Sequence, residues 1–197
     1  MQRYFIIGTD TGCGKTYVTC QKLKRDPHAI AIKPVESGGT EDSDLLKKYQ
    51  PHYTKPLSLY SFKPAISPHL AAESVQKIIT FDALDAFCDI KHFSSHAYNT
   101  LLIETSGGLM CPLNRTQTWL DYLVYQKAPV IFIVGLRLGC LNHALLTAHA
   151  LQTHDIPCAG WIANICTPSM AYLEENIQTL KEKLPFQYLE TMPFEPH

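Results

Sequence analysis

No stretch of this 197-residue sequence is apolar enough to cross a bilayer. The longest apolar run, residues 128–136, contains Pro129 and Gly135 and falls far short of the roughly 20 residues a spanning helix needs. The N-terminal apolar run, Tyr4-Phe5-Ile6-Ile7, is interrupted by Gly8, so no secretory signal and a cytoplasmic location are expected. Neither charge sign is in excess: 17 Lys and Arg stand against 18 Asp and Glu, which argues against a nucleic-acid or membrane surface as partner. Small molecules or proteins are the expected partners. Seven cysteines, at 13, 20, 88, 111, 140, 158 and 166, form no Cys-x-x-Cys pair, and their odd number fits reduced thiols rather than a disulfide framework or a zinc site. The nine histidines have no metal-ligand spacing either. What is left is ordinary globular composition, 46% hydrophobic and 18% charged, in a length that suits one sizeable core and is short for two. A single domain is expected.

One stretch organises the remainder. Gly8-Thr9-Asp10-Thr11-Gly12-Cys13-Gly14-Lys15-Thr16 follows the first apolar run and precedes a segment without Gly or Pro, so it reads as strand, glycine-containing loop and helix. A loop of this kind wraps a polyphosphate in backbone N–H groups. Lys15 supplies a point charge to the outer phosphates, the Thr16 hydroxyl can ligate Mg²⁺, and the helix adds the positive end of its dipole. The standard pattern is Gly-x-x-x-x-Gly-Lys-Ser/Thr, and counting back from Gly14 puts Thr9 where the first Gly would stand, with Gly8 placed to relieve the same turn. The alternative is an ordinary strand-to-helix turn with a surface lysine; the flanking strand and helix favour nucleotide binding.

In chain order, residues 15–24 should form the first helix, and residues 28–33 a short buried strand with Lys33 at its carboxyl end, stopped by Pro34. Residues 35–40 read as loop and 41–49 as a short helix, in which Ser43 and the acids around it serve either as an N-cap region or to face a metal. Residues 51–68, with four prolines, read as an excursion around a short strand at 57–60, and Ser67-Pro68 opens another helix. Residues 80–93 carry helical spacing. Residues 100–104 form a buried strand ending in Glu104, a carboxylate that is costly there without a partner such as Mg²⁺. A helix at 119–126 and the most apolar strand, 129–135, follow. Helical spacing then resumes from about Leu141 to Leu151, with Asn142 as a plausible N-cap and a helix start that could hold a carboxylate. A strand at 159–164, a helix from Thr167-Pro168-Ser169 through Leu184 and a last strand at 186–189 complete the chain. Strands and helices alternating with long crossovers predict an α/β fold, a doubly wound and mostly parallel sheet flanked by helices, P-loop NTPase-like. The loop around Lys15, then Lys33, Glu104, the turn at 140–142, Asn164 and Pro193 all fall at the carboxyl ends of strands, where such sheets bind ligands.

Several segments together resemble the dethiobiotin synthetases. They are the loop at 8–16, Lys33-Pro34-Val35-x-Ser37-Gly38, Ser43-Asp44, Ser67-Pro68-His69, Glu104-x-x-Gly107-Gly108, Val134-Gly135-x-x-Leu138-Gly139-Cys140-x-Asn142-His143-Ala144 and Gly160-Trp161-x-Ala163-Asn164. The resemblance implies that Gly12, Cys13, Gly14, Lys15, Thr16 and Tyr17 hold the phosphates of ATP, with Thr105, Ser106 and Gly107 close by. It implies that Thr16, Asp44 and Glu104 surround Mg²⁺, that Lys33 is the catalytic lysine alongside Lys15, and that Asn164 and Pro193 flank adenine. Thr11 and Ser37 would contact 7,8-diaminononanoate, which reacts with CO₂ or bicarbonate. Its carboxylate would be held by Cys140, Leu141 and Asn142 from the other subunit of a homodimer.

The sequence departs from the family pattern at Thr105-Ser106, where Gly-Ala is usual, at Gly12, commonly a larger residue, and at its end, His197, which is early for the family. Other readings stand beside this one. Amidases of cobalamin synthesis share the loop style but would carry a further glutaminase domain. A nucleotide switch, GTPase or partitioning ATPase, would bind a partner, but there is no Asn-Lys-x-Asp motif and no lysine in the loop ahead of Gly14. A family member that binds ATP but turns over poorly because of Thr105 and Ser106 is the third.

Overall fold

The computed structural model describes residues 1–93 and 98–195. Among them the chain runs β1 (Gln2–Gly8), α1 (Lys15–Arg25), β2 (Ala29–Ile32), β3 (Val35–Ser37), α2 (Glu41–Lys48), β4 (Tyr60–Phe62), α3 (Pro68–Ser74) and α4 (Phe81–Cys88), then a 3-10 turn (Ile90–His92). It continues through β5 (Thr100–Glu104), α5 (Trp119–Gln126), β6 (Val130–Leu136), α6 (Cys140–Thr153), β7 (Cys158–Ile165), α7 (Leu173–Lys183) and β8 (Tyr188–Met192).

Six strands pair in the order β2-β5-β1-β6-β7-β8, every pair parallel. Parallel strands covered on both faces read as unbroken apolar runs, and β6 is buried at all seven positions. The doubly wound arrangement expected from the alternation is what forms. β1 sits centrally, with β5 on one side and β6 on the other, so the loops after these three strands meet at one edge. The buried apolar side chains, from Phe5 and Phe132 on the sheet to Trp119 and Tyr122 on α5, make one continuous cluster. A capping box at Thr118 and Asp121 starts α5, and Thr80 caps α4 through the Ala83 amide.

The differences from the sequence reading have local causes. Residues 35–37 are strand rather than loop, because they pair in parallel with β4 in a small second sheet. That partner begins at Tyr60, not Leu57: residues 57–60 first bond alongside the backbone of Lys33 and Pro34. The helix expected over 80–93 ends at Cys88, where Asp89 turns extended and caps the 3-10 turn by accepting from the Lys91 amide at 2.9 Å. Residues 167–172 are not helical, and α7 starts only after Tyr172, which takes a left-handed φ of 52°. The last strand is displaced toward the C-terminus because β8 registers Tyr188 against Trp161. Gly139, at φ 91°, occupies the cap of α6, so Asn142 lies in the first turn and is not the N-cap.

Candidate functional site

A cleft of about 1310 Å³ opens over the carboxyl ends of the strands, floored by residues 9–17 and walled by Lys33, Asp42, Glu104, Ser106 and Asn164. The Gly8–Gly14 loop is held by close packing. Cys13 turns inward, and a Cβ on Gly8 would sit 2.2 Å from its Sγ, one on Gly135 2.7 Å from its Cβ. Thr9, where the common motif has glycine, ties the loop to β6 by accepting the Gly135 amide at 3.3 Å. Gly14, at φ 88°, opens α1, and a Cβ there would be 2.0 Å from the Asn164 amide nitrogen. Arg137 pairs with Asp10 at 2.8 Å across the same rim.

Lys15 is 6% exposed, and its Nζ donates to the carbonyls of Asp10 at 3.0 Å and Gly107 at 2.7 Å. Beside it, Thr16 Oγ1 donates to Glu104 Oε1 at 2.6 Å, and Lys33 Nζ donates to the same oxygen at 2.7 Å and to Asp42. Glu104 is fully buried, and its second oxygen has no hydrogen-bond partner. Burial alone would depress the Lys33 pKa, but the charges of Glu104 and Asp42 outweigh it and hold the ammonium above its ordinary value. Burial would likewise raise the Asp42 carboxyl, yet Lys33, with hydrogen bonds from Lys33 and Thr16, draws it below the usual carboxylate range.

The unpartnered Glu104 oxygen, the Thr16 hydroxyl and Asp42 suit Mg²⁺, which takes few protein oxygens and leaves positions for phosphate and water. Among the described residues no group of three or more His, Cys, Asp or Glu could hold a metal. Asp44, expected at the metal, is not there. With Thr40 before the helix and α2 starting at Glu41, a rotation of about 100° per residue puts positions 42 and 44 on opposed faces. Asp44 is exposed and accepts from the Thr40 hydroxyl at 2.7 Å, while Asp42 faces Lys33. Sequence reading also passed over Glu36. It is buried and accepts from the hydroxyls of Ser43 at 2.9 Å and Ser58 at 2.7 Å, so Ser43 anchors the first turn of α2 instead of capping it. An acid inside a short strand was its only signal.

Other expected residues divide. Thr11, Gly12, Gly14, Tyr17, Ser37, Ser106, Gly107, Asn164 and Pro193 line the cleft. Cys13 does not line the cleft, being fully buried with its side chain under the loop. Thr105 is turned away, its hydroxyl donating to the Ile6 carbonyl at 3.0 Å inside the core. Asn164 is 4% exposed, with its amide nitrogen donating to the Cys13 carbonyl at 3.1 Å and its Oδ1 buried and unpartnered. Cys140, Leu141 and Asn142 do not line this chain's own cleft: Cys140 is buried, Asn142 faces solvent, and α6 reaches the cleft only from His143 onward.

A family model described as an AAA domain matches residues 2–197. The chain is 41% identical over 197 residues to the ATP-dependent dethiobiotin synthetase BioD of Legionella pneumophila (strain Paris), covering 96% of this chain and 92% of that one. It is 36% identical to the protein of the same name from Pseudoalteromonas translucida (strain TAC 125), covering 98% and 91%. The Francisella tularensis subsp. tularensis (strain WY96-3418) protein of that name is 34% identical, with 92% and 85% covered. Among solved structures, the MinC:MinD cell division protein complex of Aquifex aeolicus superposes with a TM-score of 0.61 at 14% identity, over all of this chain and 82% of that one. That likeness concerns the fold alone, a P-loop NTPase-like α/β sheet.

Proposed function

Because this chain belongs to the family of ATP-dependent dethiobiotin synthetases, we propose that it is a ligase of biotin biosynthesis that closes the ureido ring of dethiobiotin at the expense of ATP. The observation that carries this reading at the level of the site is the hydrogen-bonded knot of Lys33, Thr16, Asp42 and Glu104 beside the phosphate-wrapping loop, with Lys33 and Glu104 buried.

The substrates are 7,8-diaminononanoate, CO₂ and ATP. One amine adds to CO₂, losing a proton to give a carbamate. A carbamate oxygen then takes the γ-phosphoryl group as its bond to ADP breaks, forming a carbamoyl-phosphate-type mixed anhydride. The second amine attacks the carbonyl carbon, phosphate leaves, and the ring closes with loss of a proton. No protein nucleophile takes part. Lys15 exchanges its two backbone carbonyls for outer phosphate oxygens, and Lys33, kept cationic by its carboxylate neighbours, neutralises charge developing on the phosphoryl group and carbamate. Thr16, Asp42 and Glu104 would hold a Mg²⁺, whose chemistry when bound is to neutralise phosphate charge. Asn164 and Pro193 flank adenine, and Thr11 and Ser37 contact the diamine.

The helix start at 140–142 is turned away from its own cleft, which supports its serving the substrate carboxylate in a second copy, within a homodimer. Among the described residues no helix is long and apolar enough to cross a membrane; a cytoplasmic location is part of the proposal. Of the two residues behind the poorly active alternative, Thr105 has its hydroxyl turned into the core, while Ser106 lines the cleft. The test is phosphate release from ATP with Mg²⁺ and bicarbonate, with and without the diamine, with dethiobiotin detected by mass. Diamine-dependent release with product is expected; nucleotide binding without it would overturn the proposal.

A further inference from the structure

Two hydroxyl side chains follow Glu104, and the fold uses them differently. Thr105 spends its proton on the Ile6 carbonyl. Ser106 is 7% exposed and lines the cleft, and its Oγ accepts the indole N–H of the fully buried Trp119 at 3.0 Å. An indole nitrogen only donates, so the serine oxygen is the acceptor in that bond and its own proton remains to be given. Among the described residues the Ser106 hydroxyl donates no hydrogen bond of its own. With a lone pair tied to Trp119, the hydroxyl can rotate to give its proton to an acceptor in the cleft that Ser106 lines. Its neighbour Gly107 fixes where along the cleft this happens: the Gly107 carbonyl holds Lys15 Nζ at 2.7 Å, so Ser106 stands by the lysine that serves the outer phosphates.

We infer that Ser106 is a specificity-determining donor to a terminal phosphoryl oxygen of the bound triphosphate, and that Trp119 is the positioning residue that orients it. This rests on the ATP reading of the site. A hydrogen bond to a charged oxygen is worth enough that losing it weakens binding about tenfold. The experiment is calorimetric titration of the whole chain with the β,γ-imido analogue of ATP and, separately, with ADP, both with Mg²⁺. Ser106→Ala is expected to weaken the triphosphate analogue about tenfold and leave ADP within about twofold. Trp119→Phe should show the same selectivity at smaller size. Ser106→Cys, close in shape but a weaker donor, carries the test should the alanine variant not fold. Equal losses for both nucleotides, or none, would overturn the inference. The titrations need no diamine, so absence of dethiobiotin formation by the wild type would defeat the proposed function while the triphosphate-to-ADP ratio still decides the role of Ser106.

Discussion

At the phosphate end of the cleft the working groups already have partners within the chain: Lys15 on two carbonyls, Lys33 on two carboxylates, Thr16 on Glu104. Where α6 begins, no comparable side-chain pairing is made among the described residues. Leu138 is 99% exposed, Asn142 faces solvent, and the Gly139 cap makes no side-chain hydrogen bond. The first region is organised by burial and charge pairing among segments of one polypeptide, so its geometry exists before any ligand arrives. The second presents a helix start with an exposed leucine beside it, its Cys140 amide already donating to the Arg137 carbonyl at 2.9 Å.

The largest effect that can test this contrast is at Lys33. Lys33→Ala is expected to lower turnover by about three orders of magnitude or more. It also strands Glu104 in the interior, at a cost of about 3–5 kcal/mol, so melting must be measured beside dethiobiotin formation. Near-normal turnover would show that the paired end is scaffold only. Next come the two aspartates of α2. Asp42→Asn should raise the Mg²⁺ needed for half-maximal rate by about 10- to 100-fold and Asp44→Asn by less than about twofold; equal effects would undo the helix-face argument. At the unpaired end, Asn142→Ala should raise the diamine KM by about fivefold with little change for ATP, and an unchanged diamine KM would remove α6 from the substrate site.

The smallest effect is on pH. The Asp42 carboxyl titrates lower in the folded protein than unfolded, so the unfolded chain binds more protons in the interval between. Its stabilising contribution is therefore complete above about pH 4 and disappears as pH falls through the folded value. Melting curves across that acid range should fall less steeply for Asp42→Asn than for wild type. Lys33 behaves in the opposite sense: raised in the folded state by Glu104 and Asp42, it stays charged past the ordinary lysine range, so its stabilising contribution persists through moderately alkaline pH and is lost only as pH rises through the folded value.

The phosphate end was largely legible in the sequence because its geometry is carried by short local patterns: an apolar strand, a glycine loop and an uninterrupted helix place Lys15 and Thr16, and a lone acid ending an apolar strand announces Glu104. Pro34 set Lys33 at a strand end, while its catalytic role came only from the family resemblance. The choice between Asp42 and Asp44 was not legible, because it depends on which residue caps α2. Thr40 rather than Ser43 precedes that helix, and Ser43 is drawn inward by Glu36, a contact between segments that no local pattern announces. The β3 and β4 strands were missed or displaced for the same reason: three residues each, they exist through mutual pairing and not through periodicity. Asn142 was read as a cap because it is a good capping residue, but Gly139 can adopt the left-handed φ of 91° that opens α6.

The packing of Cys13 against two glycines bears on the order in which this loop can change over generations. At Gly8 the obstacle to a methyl group is the Cys13 sulfur, 2.2 Å away, with the movable Lys15 stem beyond it. Alanine at 13 would remove that sulfur, so Gly8→Ala becomes admissible only in a lineage that has already lost the cysteine. At Gly135 the obstacles are the Cβ and Cα of residue 13, at 2.7 and 2.8 Å, and the Cα is present whatever residue stands there. One glycine is thus contingent on its neighbour's identity, the other on the path of the backbone itself, and only the first has a history that can be reversed by a single prior step.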